Sequence, residues 1–353
     1  MQEKACVGII VPVYNVEAYL TRCLDSLLNQ SYENFVIVLI NDASTDCSRE
    51  ICLDYQLREK RIVFIDTLSN AGVAGTRNKA LQILEQGDKS IEMLKEQMEG
   101  IEIHTQLSAI PNVEYVMFVD SDDYLSHDAL QTITTDFRDY DVDIYIHNYH
   151  YVVDVRGEVG VHNYRIFPQV QEAKVYTPLE LVRLNPKNIV TTTWAFVYKA
   201  SFLFKHHFRF IDGISNEDVP FCTQAFITAQ SVYVSFAKWY YYFLSPVSEM
   251  RGKMGAQKVK RFFHSWIVIL DFFIACYESV CVKDRQGAAM GDCALLKKFY
   301  EANIVRCLKR IFELVYEYGY SDDFPKERLK PYIHWGGAKY YLLYCYPRLK
   351  KFL

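Results

Sequence analysis

Three carboxylates fall within four residues at Asp120-Ser121-Asp122-Asp123, directly after the apolar run at 115–119. Like charges that close raise one another's pKa unless a cation sits among them. Hard oxygen donors suit Mg²⁺ or Mn²⁺. An Asp- and Ser-rich stretch also makes an ordinary solvated turn, so the run alone leaves both readings open. A second acidic pair, Glu217-Asp218, precedes Val219-Pro220-Phe221 in a polar loop. Carboxylates there could cap and charge the start of the following helix. Two further polar clusters, Pro12-Val13-Tyr14-Asn15 and Asn41-Asp42-Ala43-Ser44-Thr45-Asp46, each end a β-branched run. Tyr14 and Asp42 thus stand at the ends of two runs, as Asp120 does at the end of a third.

These clusters matter only if a scaffold brings them together. Residues 7–13, 35–40, 61–65 and 115–119 read as short buried strands. Residues 17–29, 48–59 and 70–84 read as helices, the first with apolar positions at Tyr19, Leu20, Cys23, Leu24, Leu27 and Leu28. Such alternation implies right-handed βαβ units and a mostly parallel sheet. Ligands then bind beyond the carboxyl ends of the strands, so Tyr14, Asp42 and Asp120 are expected at one crevice. Residues 85–112 are polar, with helical spacing at Ile91, Leu94 and Met98, and read as an inserted surface helix. The chain continues as a helix (127–137), a strand (142–155), a hairpin region (157–169), an apolar segment holding Trp194, a helix from Phe221 to Thr228, and an aromatic strand (232–244). Long helical periods follow, which places a boundary near Ser248 and gives a catalytic domain at 1–248 and a helical region at 249–353.

The chain of 353 residues is 50% hydrophobic and 23% charged, as a well-buried globular protein is. A formal net charge of -4 lacks the basic footprint of a nucleic-acid binder. The 10 cysteines show no paired CxxC spacing and no leader precedes them, which points to reduced thiols and a cytoplasmic setting. The apolar stretch at 266–277 is interrupted by Asp271 and reads as too short to cross a bilayer. The last segment mixes Lys339, Arg348, Lys350 and Lys351 with Tyr340, Tyr341, Tyr344, Tyr346 and Phe352. That is the composition of a peripheral membrane helix, and equally of a terminal helix docked on the core.

Taken together, Val11-Pro12-Val13-Tyr14-Asn15, Asn41 to Asp46, Asn70-Ala71-Gly72-Val73-Ala74-Gly75-Thr76-Arg77-Asn78, Asp120 to Asp123 and Glu217-Asp218 resemble, in order, the family 2 glycosyltransferases with the GT-A fold. The resemblance covers roughly residues 5–250. It implies an inverting transfer of one sugar from a UDP-sugar to a hydroxyl of a glycan or lipid-linked glycan in surface polysaccharide (capsule, lipooligosaccharide or O-antigen) synthesis, assisted by Mn²⁺ or Mg²⁺. By position, Pro12, Tyr14 and Asn15 border the nucleobase, Asp42 accepts the uracil N3–H, and Arg77 reaches the phosphates. Asp120 and Ser121 adjoin the ribose, and Asp122 holds the metal. Asp123 and Trp194 are candidates for the donor sugar or acceptor. Asp218 is the base, with Glu217 positioning a hydroxyl or amide.

Departures from the family pattern leave the donor sugar open. The segment Trp194-Ala195-Phe196-Val197-Tyr198 lacks an internal lysine, and Tyr240-Tyr241-Tyr242-Phe243 lacks a following basic residue. Arg251 and Lys253 are the nearest stand-ins. A sugar-phosphate nucleotidyltransferase would need a Gly-rich loop after the first strand, where this chain has Pro12 to Val16. An inactive glycan-binding module of the same fold remains the third reading.

Overall fold

The computed structural model describes residues 5–155, 158–185, 191–244, 254–286, 290–318, 330 and 333. The chain divides into two compact units. The first comprises Met1–Pro178, Val190–Gly213 and Phe221–Arg251, and the second Leu179–Ile189, Ile214–Pro220 and Gly252–Leu353.

The first unit alternates strand and helix as its sequence pattern requires. In order it contains β1 (Val7–Val13), α1 (Glu17–Leu28), β2 (Phe35–Asn41), α2 (Ser48–Arg58), β3 (Ile62–Thr67), α3 (Gly72–Glu85), α4 (Ile91–Gln97), β4 (Ile101–His104), β5 (Tyr115–Phe118), β6 (Tyr124–Leu125) and α5 (Ala129–Tyr140). Then come β7 (Ile144–Val155), β8 (Glu158–Tyr164), β9 (Val175–Tyr176), β10 (Phe196–Lys199), α7 (Ala200–Lys205) and β11 (Val232–Phe243), while α6 (Pro178–Leu184) falls in the second unit from Leu179 on and α8 (Asp218–Thr228) falls in the second unit up to Pro220 and in the first from Phe221. All strands join one sheet of order β4-β3-β2-β1-β5-β10-β7-β11-β6, with β8 on β7 and β9 on β11. The β3-β2-β1-β5 portion is parallel, and β1, β2 and β3 are buried along their whole length. That is why they read as unbroken apolar runs.

A proline inside a central strand needs an explanation. The Ile10 carbonyl accepts the Val119 N–H, and the Val13 carbonyl accepts the Asp42 N–H. Alternation therefore turns Pro12 toward β5, whose register stops at the Ile10–Phe118 pair. No strand there asks Pro12 for a donor, and β1 can run on to Tyr14. On β1, Gly8 lets α3 approach closely, since a Cβ there would lie 2.9 Å from Leu84 Cδ1. Gly72 starts α3 at φ +74°, a conformation that favours glycine.

Three expectations are corrected. The 85–112 insertion is not a helix alone: α4 is followed by β4, an edge strand antiparallel to β3. The α8 helix starts at Asp218, three residues before Phe221, with Pro220 tolerated in its first turn. In the second unit, 266–277 is part of a 30-residue helix, α9 (Ala256–Arg285), with an 18-residue window of mean hydropathy 1.8, of which 28% is buried. By length and composition alone, that helix could cross a membrane. It runs with α10 (Met290–Tyr318), tied by Lys297 to Asp284 at 2.6 Å and by Phe273 against Tyr300. The expected boundary at Ser248, the stand-ins Arg251 and Lys253, and the tail from Trp335 lie outside the described residues.

Candidate active site

Tyr14 leaves β1 with its ring 53% exposed, which rules out plain core packing. Asn15 braces the neighbouring loop: its N–H donates to Ser44 Oγ at 3.1 Å, and its Oδ1 accepts the Thr45 N–H at 2.8 Å. Asp42 is 3% exposed at the end of β2. Its Oδ1 accepts the Ala71 N–H at 2.7 Å, and its carbonyl accepts Asn70 Nδ2 at 3.1 Å. The turn bond that could have explained Asp42 belongs to Asn41, whose Oδ1 accepts the Ser44 N–H. Asn41 in turn donates to Asp66 Oδ1 at 2.7 Å, and Arg49 pairs with the other oxygen of Asp66. Asp42 is thus held by its main chain and one carboxylate oxygen.

At the end of β5 the three carboxylates are treated differently. The Asp123 N–H donates to the Asp120 carbonyl at 3.0 Å, closing a turn with Ser121 and Asp122 at its centre. Asp120 pairs through Oδ1 with Arg77 Nη2 of α3 at 2.7 Å, and Arg77 is itself buried over the Phe210 ring. Arg77 therefore meets the site by compensating Asp120. Asp123 is fully buried, with Oδ2 accepting Tyr240 O–H at 2.6 Å and Oδ1 accepting the Phe243 N–H at 2.7 Å. Burial, with Asp122 and Asp120 close by, pushes its pKa well up. Asp123 is thus withdrawn from the ligand-facing candidates; it anchors the turn to β11. Ser121 is nearly buried and Asp122 half-buried. Mg²⁺ and Mn²⁺ on a nucleoside diphosphate take one or two carboxylates, with phosphates and waters completing the shell. Asp122 fits that donor set, although the described residues hold no group of three or more His, Cys, Asp or Glu suited to a metal.

Trp194 is also withdrawn. It is 5% exposed, stacked on Tyr240 at 4.7 Å and Tyr242 at 5.2 Å, with Tyr149 edge-on. Buried His147 fixes its main chain, with Nε2 2.9 Å from the Trp194 carbonyl. Between Ser235 and Tyr240, β11 advances five residues while β7 advances two, from His147 to Tyr149. This bulge re-aims Tyr240 toward the acidic turn, where it also accepts the Asp120 N–H at 3.2 Å. Sequence reasoning missed Tyr240, whose only signal was its place in a Tyr-Tyr-Tyr strand. Replacing Tyr240 by Phe leaves buried Asp123 short of a donor and is expected to cost about 1–3 kcal/mol. A urea titration reads this as a lower midpoint; an unmoved midpoint would mean the turn is held by other contacts.

Glu217 and Asp218 belong to the second unit. Glu217 is buried and precedes α8, and Asp218 is its first residue, with the Val219 N–H donating to the Asn216 carbonyl at 3.1 Å.

An open, mostly parallel sheet whose neighbouring strands β1, β2 and β5 end in an exposed aromatic ring, a buried aspartate and an acidic turn is the architecture of the GT-A fold. Residues 8–85 match the glycosyl transferase family 2 profile. Glycosyltransferase GlyA of Streptococcus pneumoniae is 31% identical over 238 residues, covering 64% of this chain and 29% of that protein. A poly(ribitol-phosphate) beta-glucosyltransferase of Bacillus spizizenii is 28% identical over 240 residues, covering 67% of this chain and 32% of that protein. The crystal structure of Staphylococcus aureus TarS 1-349 in complex with UDP-GlcNAc superposes with a TM-score of 0.59 at 21% identity, over 98% of this chain and 83% of that one. Residues 8–85 thus carry a glycosyl transferase family 2 domain. The chain spans about a third of the length of the two curated relatives described.

Proposed function

We propose that the protein moves a single sugar from a UDP-sugar to a hydroxyl of a glycan or lipid-linked glycan acceptor in surface polysaccharide assembly, inverting the anomeric centre. The observation that carries the donor reading is the convergence of exposed Tyr14, buried Asp42 and the Asp120–Asp123 turn at the carboxyl ends of neighbouring β1, β2 and β5. Tyr14 offers a π face for the base. Asp42, an acceptor held in place by Ala71, suits the N3–H of uracil, a donor that cytosine lacks. Asp120, fixed by Arg77, adjoins the ribose. A divalent ion carried by Asp122 would neutralise charge developing on the departing diphosphate. For the base we take Asp218, on the sequence pattern. TarS was crystallised with UDP-GlcNAc and the Bacillus relative is named a beta-glucosyltransferase of poly(ribitol-phosphate), which supports a sugar nucleotide and a polymer acceptor. The nine described cysteines are all free, consistent with a reducing, cytoplasmic setting.

The test combines turnover and binding. With Mn²⁺, one radiolabelled UDP-sugar of a panel should release UDP, and calorimetry should show UDP bound in preference to CDP. Asp42→Ala should weaken UDP by about 1–3 kcal/mol, the cost of an unpaired buried group. Equal affinity of the native protein for UDP and CDP overturns the uridine reading.

A further inference from the structure

We propose that Arg22 is a positioning residue for the acidic turn, setting the affinity for the metal and diphosphate through the main chain of Asp122. The inference rests on the reading that Asp122 carries the metal. Arg22 lies on α1, and its Nη2 donates to the Asp122 carbonyl at 2.7 Å. The guanidinium centre lies 4.2 Å from the Phe243 ring, 4.8 Å from Tyr124 and 5.9 Å from Tyr19. Tyr124 is in turn stacked on Tyr241 at 4.7 Å and 9°. The cation is thus boxed by rings from its own helix, from the turn's exit and from the end of β11.

The box is costly to fill with this side chain. Nε of Arg22 is buried and has no hydrogen-bond partner among the described residues, a loss that Leu or Met would avoid. What only Arg supplies is a planar fork that stacks on rings and still reaches a carbonyl. The turn is therefore gripped from two sides. Asp123 is held through its carboxylate by Tyr240 and the Phe243 N–H, and Asp122 through its carbonyl by Arg22. The Asp122 carbonyl and the Asp123 N–H belong to one peptide unit, so the Arg22 bond and the Asp120–Asp123 turn bond together fix the peptide plane that follows Asp122. Arg22 acts on binding through Asp122, not on the transferred sugar.

Arg22→Met and Arg22→Lys test this in the full chain. Outer partners of metal ligands typically govern about 10–100-fold in metal affinity. The Mn²⁺ concentration for half-maximal transfer should rise about tenfold in Arg22→Met, with kcat at saturating Mn²⁺ lowered less than about threefold. Calorimetry should show UDP affinity falling in parallel with Mn²⁺ present and unchanged without it. Lys keeps the charge but not the planar fork, so it should fail to rescue; full rescue would show that charge alone matters and overturns positioning. A side chain that merely fills the box would lower the thermal midpoint while leaving the Mn²⁺ dependence in place, which also overturns the proposal. Should both variants misfold, Phe243→Leu keeps Arg22 and the main-chain bond to Asp123 but removes one ring, and its Mn²⁺ requirement should rise about threefold, less than the loss of a direct outer partner because the bond to the Asp122 carbonyl remains. No rise there overturns the proposal. Metal-independent UDP binding by the native protein sinks the Asp122 reading and this inference together, whereas a metal-dependent native protein with unshifted variants sinks only this one.

Discussion

Replacing Asp122 by asparagine is expected to lower sugar transfer by about a hundredfold or more while the fold survives. A neutral amide is a poor ligand for Mn²⁺ or Mg²⁺. The ion's stabilisation of a developing diphosphate charge is several kcal/mol, and losing ~3 kcal/mol of it slows the step about a hundredfold. The structure sharpens the choice of residue. Asp123→Asn at the neighbouring position would disturb the Tyr240 and Phe243 bonds of a fully buried group, so its loss of activity would be confounded with loss of fold. Asp122 is half-buried in the centre of the turn, and removing its charge relieves part of the repulsion that adds to burial in raising the Asp123 pKa. The Asn variant should therefore melt no lower than the native protein and should bind UDP equally with and without Mn²⁺. Near-native turnover, or a native enzyme indifferent to EDTA, would remove the metal assignment.

The two outcomes at adjacent aspartates show where the sequence was legible. The strand ends could be read because parallel, doubly covered strands are continuous apolar runs, and a polar cluster after each is conspicuous. Which carboxylate faces ligand could not, because the partners that claim Asp123 lie at Tyr240 and Phe243, far along the chain. Trp194 misled for the same reason: its burial depends on Tyr240 and Tyr242, aimed by a bulge in β11. The insertion at 85–112 did carry a signal. Ile101 and Ile103 alternate with Glu102 and His104 as an edge strand should, but the helical spacing at Ile91 and Leu94 drew the reading. Arg22 sits on a helix scanned for its apolar face, and nothing in that scan singles out a lone cation. Its ring box is assembled from Tyr124 and Phe243, which no local pattern links to it.

Asp218→Asn should abolish transfer while leaving UDP and Mn²⁺ affinity nearly unchanged, if Asp218 takes the acceptor proton. A general base contributes about 10²–10⁴-fold, and the loss should appear in kcat rather than in donor KM. Because Asp218 is the first residue of α8, its negative charge also suits the helix N-terminus, an effect worth about 0.3–1 kcal/mol. Asparagine removes the charge but keeps the shape and an acceptor oxygen. A purely helical role therefore predicts a slightly lower midpoint and full activity, whereas a base predicts the reverse: a folded protein that binds donor and does not transfer. Stereochemistry supplies the independent check. A single displacement on an α-linked donor yields a β-linked product, because the attacking hydroxyl enters opposite the leaving nucleotide. A fully active Asp218→Asn enzyme would move the base to buried Glu217, and a product that keeps the α linkage would overturn the inverting mechanism itself.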